Sequence, residues 1–156
     1  MPIEKERKFL VLNDLWKENV SSFDNIIQGY ISVEPSKTVR VRIFGGKGFL
    51  AIKGLSMGDS RLEYEYEIPY KHAQELLESI CIKPLLTKKR YNILENGNAW
   101  IVDKFLEENE GLYLAEFEYS DTNIDILTSP KWLGQEVTGD KRYYNSYLCE
   151  NPYKYW

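Results

Sequence analysis

The sequence predicts a mainly β protein with flanking helices, an α+β chain built on an eight-stranded closed antiparallel β-barrel with a polar, charged lumen. Three observations predict it. Segments that alternate, or are rich in β-branched and aromatic residues, recur along the chain. Turn-forming residues separate them at hairpin spacing. On segment after segment, charges of one sign fall two positions apart and therefore share one face of a strand.

Ile3–Val11 reads as the first strand. Asn13–Asn19 follows as a short helix, with Asn13 or Asp14 as its cap. Seven further strands are expected at Ile26–Glu34, Thr38–Phe44, Phe49–Lys53, Leu62–Ile68, Leu86–Leu94, Ala99–Phe105 and Leu112–Tyr119. Glu34-Pro35-Ser36, Gly45-Gly46-Lys47-Gly48 and Asn96-Gly97-Asn98 supply hairpin turns. Tyr70–Ser79 reads as a helix after Pro69, with Leu76, Leu77 and Ile80 on its apolar side. Thr122–Leu127 is expected to form a turn or two of helix, and Lys141–Glu150 an aromatic-rich closing helix. Eight hairpin-linked strands favour a barrel, because closure removes the unpaired edges an open sheet must protect.

Composition bounds the function. The 156 residues fit one domain, 1–156. A net charge of −4 provides no global basic field, which argues against a nucleic-acid partner. No apolar run reaches membrane-spanning length, and the N-terminal residues lack the apolar core of a signal peptide, so a soluble cytoplasmic protein is expected. Cys81 and Cys149 are too few and too isolated for a disulfide framework or a zinc knuckle. His72 is the sole histidine, which excludes a multi-histidine metal centre and argues against Ser-His-Asp or Cys-His chemistry.

The charge pattern carries the functional reading. Glu4, Glu6 and Lys8 share one face of the first strand, with Lys5 and Arg7 on the other. Arg40 pairs by parity with Arg42, Glu63 with Glu65 and Glu67, Lys88 with Arg90, and Glu116 with Glu118. One explanation is that these faces meet water and the apolar alternates form the core. Solvent faces usually mix signs, however, and like charges on one face call for opposite partners nearby. Either the basic pairs meet the acidic pairs across a barrel lumen, or the basic set holds an anion and the acidic set a metal cation. Arginine forks bind phosphate oxygens bidentately and lysines add point charges, so Lys8, Arg40, Arg42, Lys53, Lys88 and Arg90 would form a triphosphate cradle. Carboxylates hold hard divalent ions, which makes Glu4, Glu6, Glu116 and Glu118 the expected ligands of magnesium or manganese. Phosphoryl transfer then needs mainly charge neutralisation and positioning.

Glu4-Lys5-Glu6-Arg7-Lys8 resembles the ExExK signature of the triphosphate tunnel metalloenzymes, the CYTH superfamily. Further segments match in order: Thr38–Arg42 the paired arginines, Ala51–Lys53 the lysine strand, and Arg61–Glu65 the acidic strand. Lys88–Tyr91 matches the basic strand, Trp100–Asp103 a strand with an inward Asp, Ala115–Tyr119 the late metal-binding pair, and Glu136–Asn145 the closing segment. The resemblance spans nearly the whole chain. It implies an eight-stranded tunnel and metal-dependent hydrolysis of triphosphates, with the short length resembling compact bacterial tripolyphosphatases. It implies a role for Lys88 in stabilising or protonating the leaving group. Glu63, Glu65 and Asp103 are expected to support the lumen, Asp103 as a metal neighbour or as an ion pair to a lumen arginine. Glu67 is expected to be structural or at the tunnel mouth and Lys5 and Arg7 to be solvent or rim charges, while spacing leaves open whether Lys141 or Arg142 enters the tunnel. Trp132 is expected as a packing anchor, and His72 as exposed.

The alternatives within the resemblance are a class IV-type adenylate cyclase, forming cyclic AMP from ATP, and a thiamine triphosphatase. A polyphosphate-binding module is the non-enzymatic alternative. Homodimer formation stays open.

Overall fold

Each of the eight long strands finds a neighbour on both edges. The computed structural model describes residues 3–118 and 129–156, the side chain of Glu4 excepted. The strands are β1 (Ile3–Val11), β2 (Val20–Ser32), β3 (Thr38–Phe44), β4 (Lys47–Lys53), β5 (Ser60–Ile68), β6 (Leu86–Glu95), β7 (Asn98–Phe105) and β8 (Tyr113–Glu118). They follow one another around the wall as β1-β5-β4-β3-β2-β6-β7-β8, all antiparallel. The ring closes because β1 divides its pairing: Ile3, Glu4 and Lys5 oppose β5, and Glu6–Leu10 oppose β8. A ninth strand, β9 (Leu133–Glu136), adds to β1 beside its end.

Most strand bounds lie within two residues of expectation. The exception is β2, which begins at Val20 rather than Ile26 and ends at Ser32 rather than Glu34. Its early part, Ser22 to Asn25, is polar apart from Phe23 and too short of apolar residues to show an alternation, yet it pairs with Asn92 to Lys89 of β6. Strand β9 has no counterpart among the expected strands, since Leu-Gly-Gln-Glu has no period to read. Gly134 fits there because a Cβ would lie 2.8 Å from the Leu10 carbonyl oxygen, so only glycine lets the two backbones meet.

The helices differ more. The expected helix at Asn13–Asn19 is a 3-10 turn over Leu15–Asn19, with the Asn13 side chain accepting from the Leu15 N–H at 2.9 Å. Helix α1 (Tyr70–Ser79) has the expected bounds, and Ala73 and Leu77 are its buried residues. Ile80 does not join that face; it lies past the last turn and is exposed. The closing helix is interrupted. Lys141–Tyr143 forms a 3-10 turn capped by Asp140, Tyr144 is extended at φ −72° and ψ 137°, and α2 then runs only from Asn145 to Glu150. The expectation for Thr122–Leu127 lies outside the described residues.

The core is placed on the outside of the wall. Outward residues of β3, β4 and β5 (Val41, Ile43, Leu50 and Ile68) pack under α1 with Ala73 and Leu77. Gly48 lets α1 lie close, for a Cβ there would come within 2.6 Å of the Ala73 Cβ. On another side, Phe9, Ile93, Trp100, Val102 and Ala115 are covered by Trp16 and Trp132. Trp132 is the expected packing anchor, buried with its indole N–H donating to Glu95 at 3.2 Å. Burying side chains of this size is the main driving force of folding.

The inward faces are graded. Leu86, Phe105 and Leu114 share parity with Lys88, Asp103 and Glu116, yet they join Leu148 of α2 and Val137 in a third apolar cluster. One end of the barrel interior is therefore plugged by apolar side chains under α2, and the charged positions follow along the same strands. Among the described residues no helix is long and apolar enough to cross a membrane.

Candidate active site

The inward charges surround one cavity of about 330 Å³. Lys8, Arg40, Arg42, Lys53, Lys88, Arg90, Glu6, Glu63, Glu65, Glu116 and Glu118 all line it. Of the residues singled out in the sequence, Asp103 lies just behind this lining, and the side chain of Glu4 is outside the described set. Strand register explains the convergence. Lys8 stands opposite Glu116 and Glu6 opposite Glu118, which places acid and base on the adjoining inner faces of β1 and β8. Thr38, Arg40 and Arg42 likewise oppose Lys53, Ala51 and Phe49 of β4, and those three oppose Glu63, Glu65 and Glu67 of β5.

Two charge clusters result. In the first, Asp103 is fully buried and uses both oxygens. Lys88 Nζ donates to its Oδ2 at 2.8 Å, while Arg90 donates from Nε to Oδ1 at 2.8 Å and from Nη2 to Oδ2 at 2.9 Å. Asp103 thus acts as the ion-pair partner of the basic strand. Lys88 also donates to Asn145 Oδ1 at 3.1 Å, at the start of α2. Arg90 reaches Glu116 at 3.6 Å, and Lys8 lies 3.7 Å from Glu6 and 4.0 Å from Glu116.

Burial dominates the titration of this cluster. It pulls the Lys88 ammonium down to about 8, despite the opposing pull of Asp103. Burial also opposes the charge on Arg90, but the Asp103 carboxylate more than compensates and leaves that guanidinium firmly cationic. Burial works against ionisation of Asp103 as well; Arg90 and Lys88 together outweigh it and hold the carboxyl well below the usual range.

In the second cluster, Arg40 and Arg42 both donate to Glu65 Oε2, at 2.9 and 3.0 Å. Glu63 lies 3.7 Å from both Arg40 and Lys53. Burial, reinforced by the neighbouring Arg40 charge, lowers Arg42 to about 10. Burial likewise raises the Tyr30 phenol, which stays neutral and accepts from Gln28 at 3.1 Å.

Other singled-out residues lie elsewhere. Arg7 is outside the cavity and donates to Glu136, Glu67 faces Lys47 at 3.9 Å in an exposed pair, and His72 is exposed on α1. Arg142 is turned outward to Asp140 at 2.8 Å, and Lys141 lines not this cavity but an adjoining one that shares Thr38, Ser56, Arg61, Tyr144 and Ser146 with it. The break at Tyr144 is the reason. The chain turns there, so that Tyr144, Asn145 and Ser146 line the cavity instead. Sequence reasoning missed Tyr144 and Ser146, as well as Tyr30, Thr38, Ser56 and Arg61. Tyr30, Thr38 and Arg61 carried a usable signal, since each has the inward parity of its strand. Ser56 and Tyr144 lie in loops, where no periodicity exists; they meet each other by a hydroxyl hydrogen bond of 3.2 Å.

Known proteins resemble this chain in sequence and fold. An inorganic triphosphatase of Acetivibrio thermocellus is 51% identical over 151 residues, covering 97% of this chain and 96% of the relative. The chain belongs to the triphosphate tunnel (CYTH) family of inorganic triphosphatases. A second inorganic triphosphatase, from Nitrosomonas europaea, is 33% identical over 94% of this chain and 96% of its own length. A crystal structure of an inorganic triphosphatase superposes with a TM-score of 0.67 at 31% identity, covering 94% of this chain and 97% of that one. A Hippeastrum protein described as having a dominant triphosphatase activity matches at a TM-score of 0.57 and 14% identity, over 78% of this chain and 80% of its own, which speaks to the tunnel fold alone. No family model matches the chain.

Tunnel triphosphatases generally depend on a divalent cation. Among the described residues no three acidic, histidine or cysteine side chains already converge as a metal cage. The donor set nevertheless fits a hard divalent cation. Glu6, Glu116 and Glu118 offer hard oxygens from paired strands at the cavity wall, and magnesium characteristically takes one or two carboxylates, with water and substrate phosphates completing its shell.

Proposed function

We propose that this chain hydrolyses inorganic tripolyphosphate inside the barrel lumen, cleaving a phosphoanhydride bond to give orthophosphate and pyrophosphate. The single observation that carries this reading is the enclosure of seven basic side chains, those of Lys8, Arg40, Arg42, Lys53, Arg61, Lys88 and Arg90, in one cavity of about 330 Å³. A short polyanion is the ligand whose charge and length such an interior matches. The 51% identical inorganic triphosphatase supports the substrate class.

In this reading Arg40 and Arg42 take phosphate oxygens on one side of the lumen, and Lys53 and Lys8 add charge beside them. Arg90 and Lys88 bind on the other side, aligned by Asp103, so the chain is held from both ends and positioned for in-line attack by water. Lys88 is the general acid or electrostatic stabiliser of the leaving group, because its ammonium is buried, oriented by Asp103 and Asn145, and not confined to its cationic form near neutral pH. Glu6, Glu116 and Glu118 would hold magnesium or manganese. When bound, that ion would supply neutralisation of phosphate charge and polarisation of the bond that breaks. Glu63, Glu65 and Asp103 keep the basic side chains ordered when no anion is present. The apolar plug under α2 closes one end, so substrate enters through the other.

The test is a metal-dependent phosphate-release screen over tripolyphosphate, pyrophosphate, ATP, thiamine triphosphate and longer polyphosphate. Tripolyphosphate is expected to be the best substrate. A pyrophosphate-only profile rejects the reading, and cyclic AMP from ATP points to the cyclase instead.

A further inference from the structure

The two carboxylates that organise the lumen are held very differently. Asp103 is 1% exposed at its side chain and receives hydrogen bonds on both oxygens from Lys88 and Arg90. Glu65 is 32% exposed at its side chain, and the two arginines share only its Oε2. A carboxylate in contact with water exchanges partners at low cost, whereas a desolvated one with every partner satisfied does not.

The arginines ask for more than Glu65 provides. The Nε atoms of Arg40 and Arg42 are buried and have no acceptor among the described residues. The Arg40 side chain is only 9% exposed. A buried donor left without an acceptor is costly, and a guanidinium presents its donors as a fork that one carboxylate oxygen leaves partly unused. A phosphate group brings several oxygens and a larger charge. Glu65 therefore occupies the anion position without filling it.

We propose that Glu65 is a displaceable internal counter-ion. It neutralises Arg40 and Arg42 while the lumen holds no anion, rotates toward water when a phosphate group takes the two guanidiniums, and retakes them to expel the product anion. The role rests on the reading that Arg40 and Arg42 bind phosphate. Glu65 is thus a positioning residue that sets product release and does not touch the bond that breaks.

The experiment measures inhibition of tripolyphosphate hydrolysis by added orthophosphate and pyrophosphate, in wild type and Glu65→Gln. If Glu65 competes for the arginines, Glu65→Gln lowers both inhibition constants by about tenfold, and lowers KM and kcat together as release slows. A merely structural Glu65 predicts the opposite sign, because arginines without an anchor scatter and bind anions more weakly. Glu67→Gln removes the same charge further along β5, at an exposed site, and controls for the general field. Glu65→Asp keeps the charge on a shorter arm, and a smaller shift in the same direction is expected; it carries the test if Glu65→Gln does not fold. Unchanged or raised inhibition constants in the Glu65 variants, or an equal fall in Glu67→Gln, overturn the proposal. A wild-type protein that neither binds nor hydrolyses tripolyphosphate instead removes the phosphate-site reading on which the proposal rests.

Discussion

Lys88 Nζ lies 2.8 Å from Asp103 Oδ2, and this contact joins the catalytic reading of the lumen to its stability. The carboxylate fixes the ammonium in place while burial lowers its proton affinity to about 8. Removing the amine while leaving the cavity intact separates its two roles. Lys88→Ala is expected to lower kcat for tripolyphosphate by about a hundredfold or more, in the range of a lost transition-state donor, with a much smaller change in KM. Steady-state kinetics at saturating metal check it. A variant with wild-type turnover removes Lys88 from the chemistry.

The same ammonium sets a pH limit. A group lowered to about 8 is cationic below that pH and neutral above it. The cation is the form that donates to a leaving phosphate, so kcat/KM is expected to fall as pH rises through about 8. Bound triphosphate favours the cation and moves the corresponding limb of kcat to higher pH. Lys88→Arg keeps a charge that does not titrate in this range, so its profile loses the alkaline limb whatever its absolute rate. Profiles measured on both proteins with one substrate cancel the titration of the substrate itself.

Much of this site was legible because strands make parity readable. Arg40 and Arg42, Glu63 and Glu65, Lys88 and Arg90, and Glu116 and Glu118 each announce a shared face by spacing alone, and all eight line the cavity. What parity does not provide is depth along the strand. Leu86 and Leu114 have the same parity as Lys88 and Glu116, yet they belong to the apolar plug, because only the fold shows which end α2 covers. The position of Asp103 was legible but not its role, since that depends on the register that sets it opposite Arg90. Ser56 and Tyr144 were invisible for another reason. They enter from loops whose course is fixed by contacts distant in sequence, such as their own hydrogen bond.

Asp103 is expected to be among the most costly polar residues to alter. Asp103→Asn leaves Lys88 and Arg90 buried beside a neutral amide, and uncompensated buried charge costs about 3–5 kcal/mol. Denaturant unfolding checks the loss, with an unchanged m-value if the barrel still forms. The linkage has a definite sign. The folded carboxyl titrates below its ordinary 3.8, so its contribution is fully present above that value and disappears as pH falls below it. Wild type is therefore expected to lose stability steeply below about pH 4, and Asp103→Asn to show a flatter acid limb.

The acidic pair on β8 separates metal binding from anion binding. Glu116 lies within 4.0 Å of Lys8 and 3.6 Å of Arg90, so it has cationic neighbours even without a metal. Replacing it together with Glu118 by glutamine removes hard anionic ligands but keeps side-chain volume and leaves Arg40, Arg42 and Lys53 in place. If these carboxylates hold the divalent ion, Glu116→Gln with Glu118→Gln abolishes turnover, and excess magnesium or manganese does not restore it. Wild type stripped by a chelator, in contrast, recovers fully when either active metal is returned. Tripolyphosphate binding measured calorimetrically without metal is expected to persist in the double variant and even to tighten, because two negative charges have left the cavity wall. Full metal-dependent turnover in the double variant would move the metal site to other residues. Loss of binding together with turnover would show that the pair organises Lys8 and Arg90 rather than a cation.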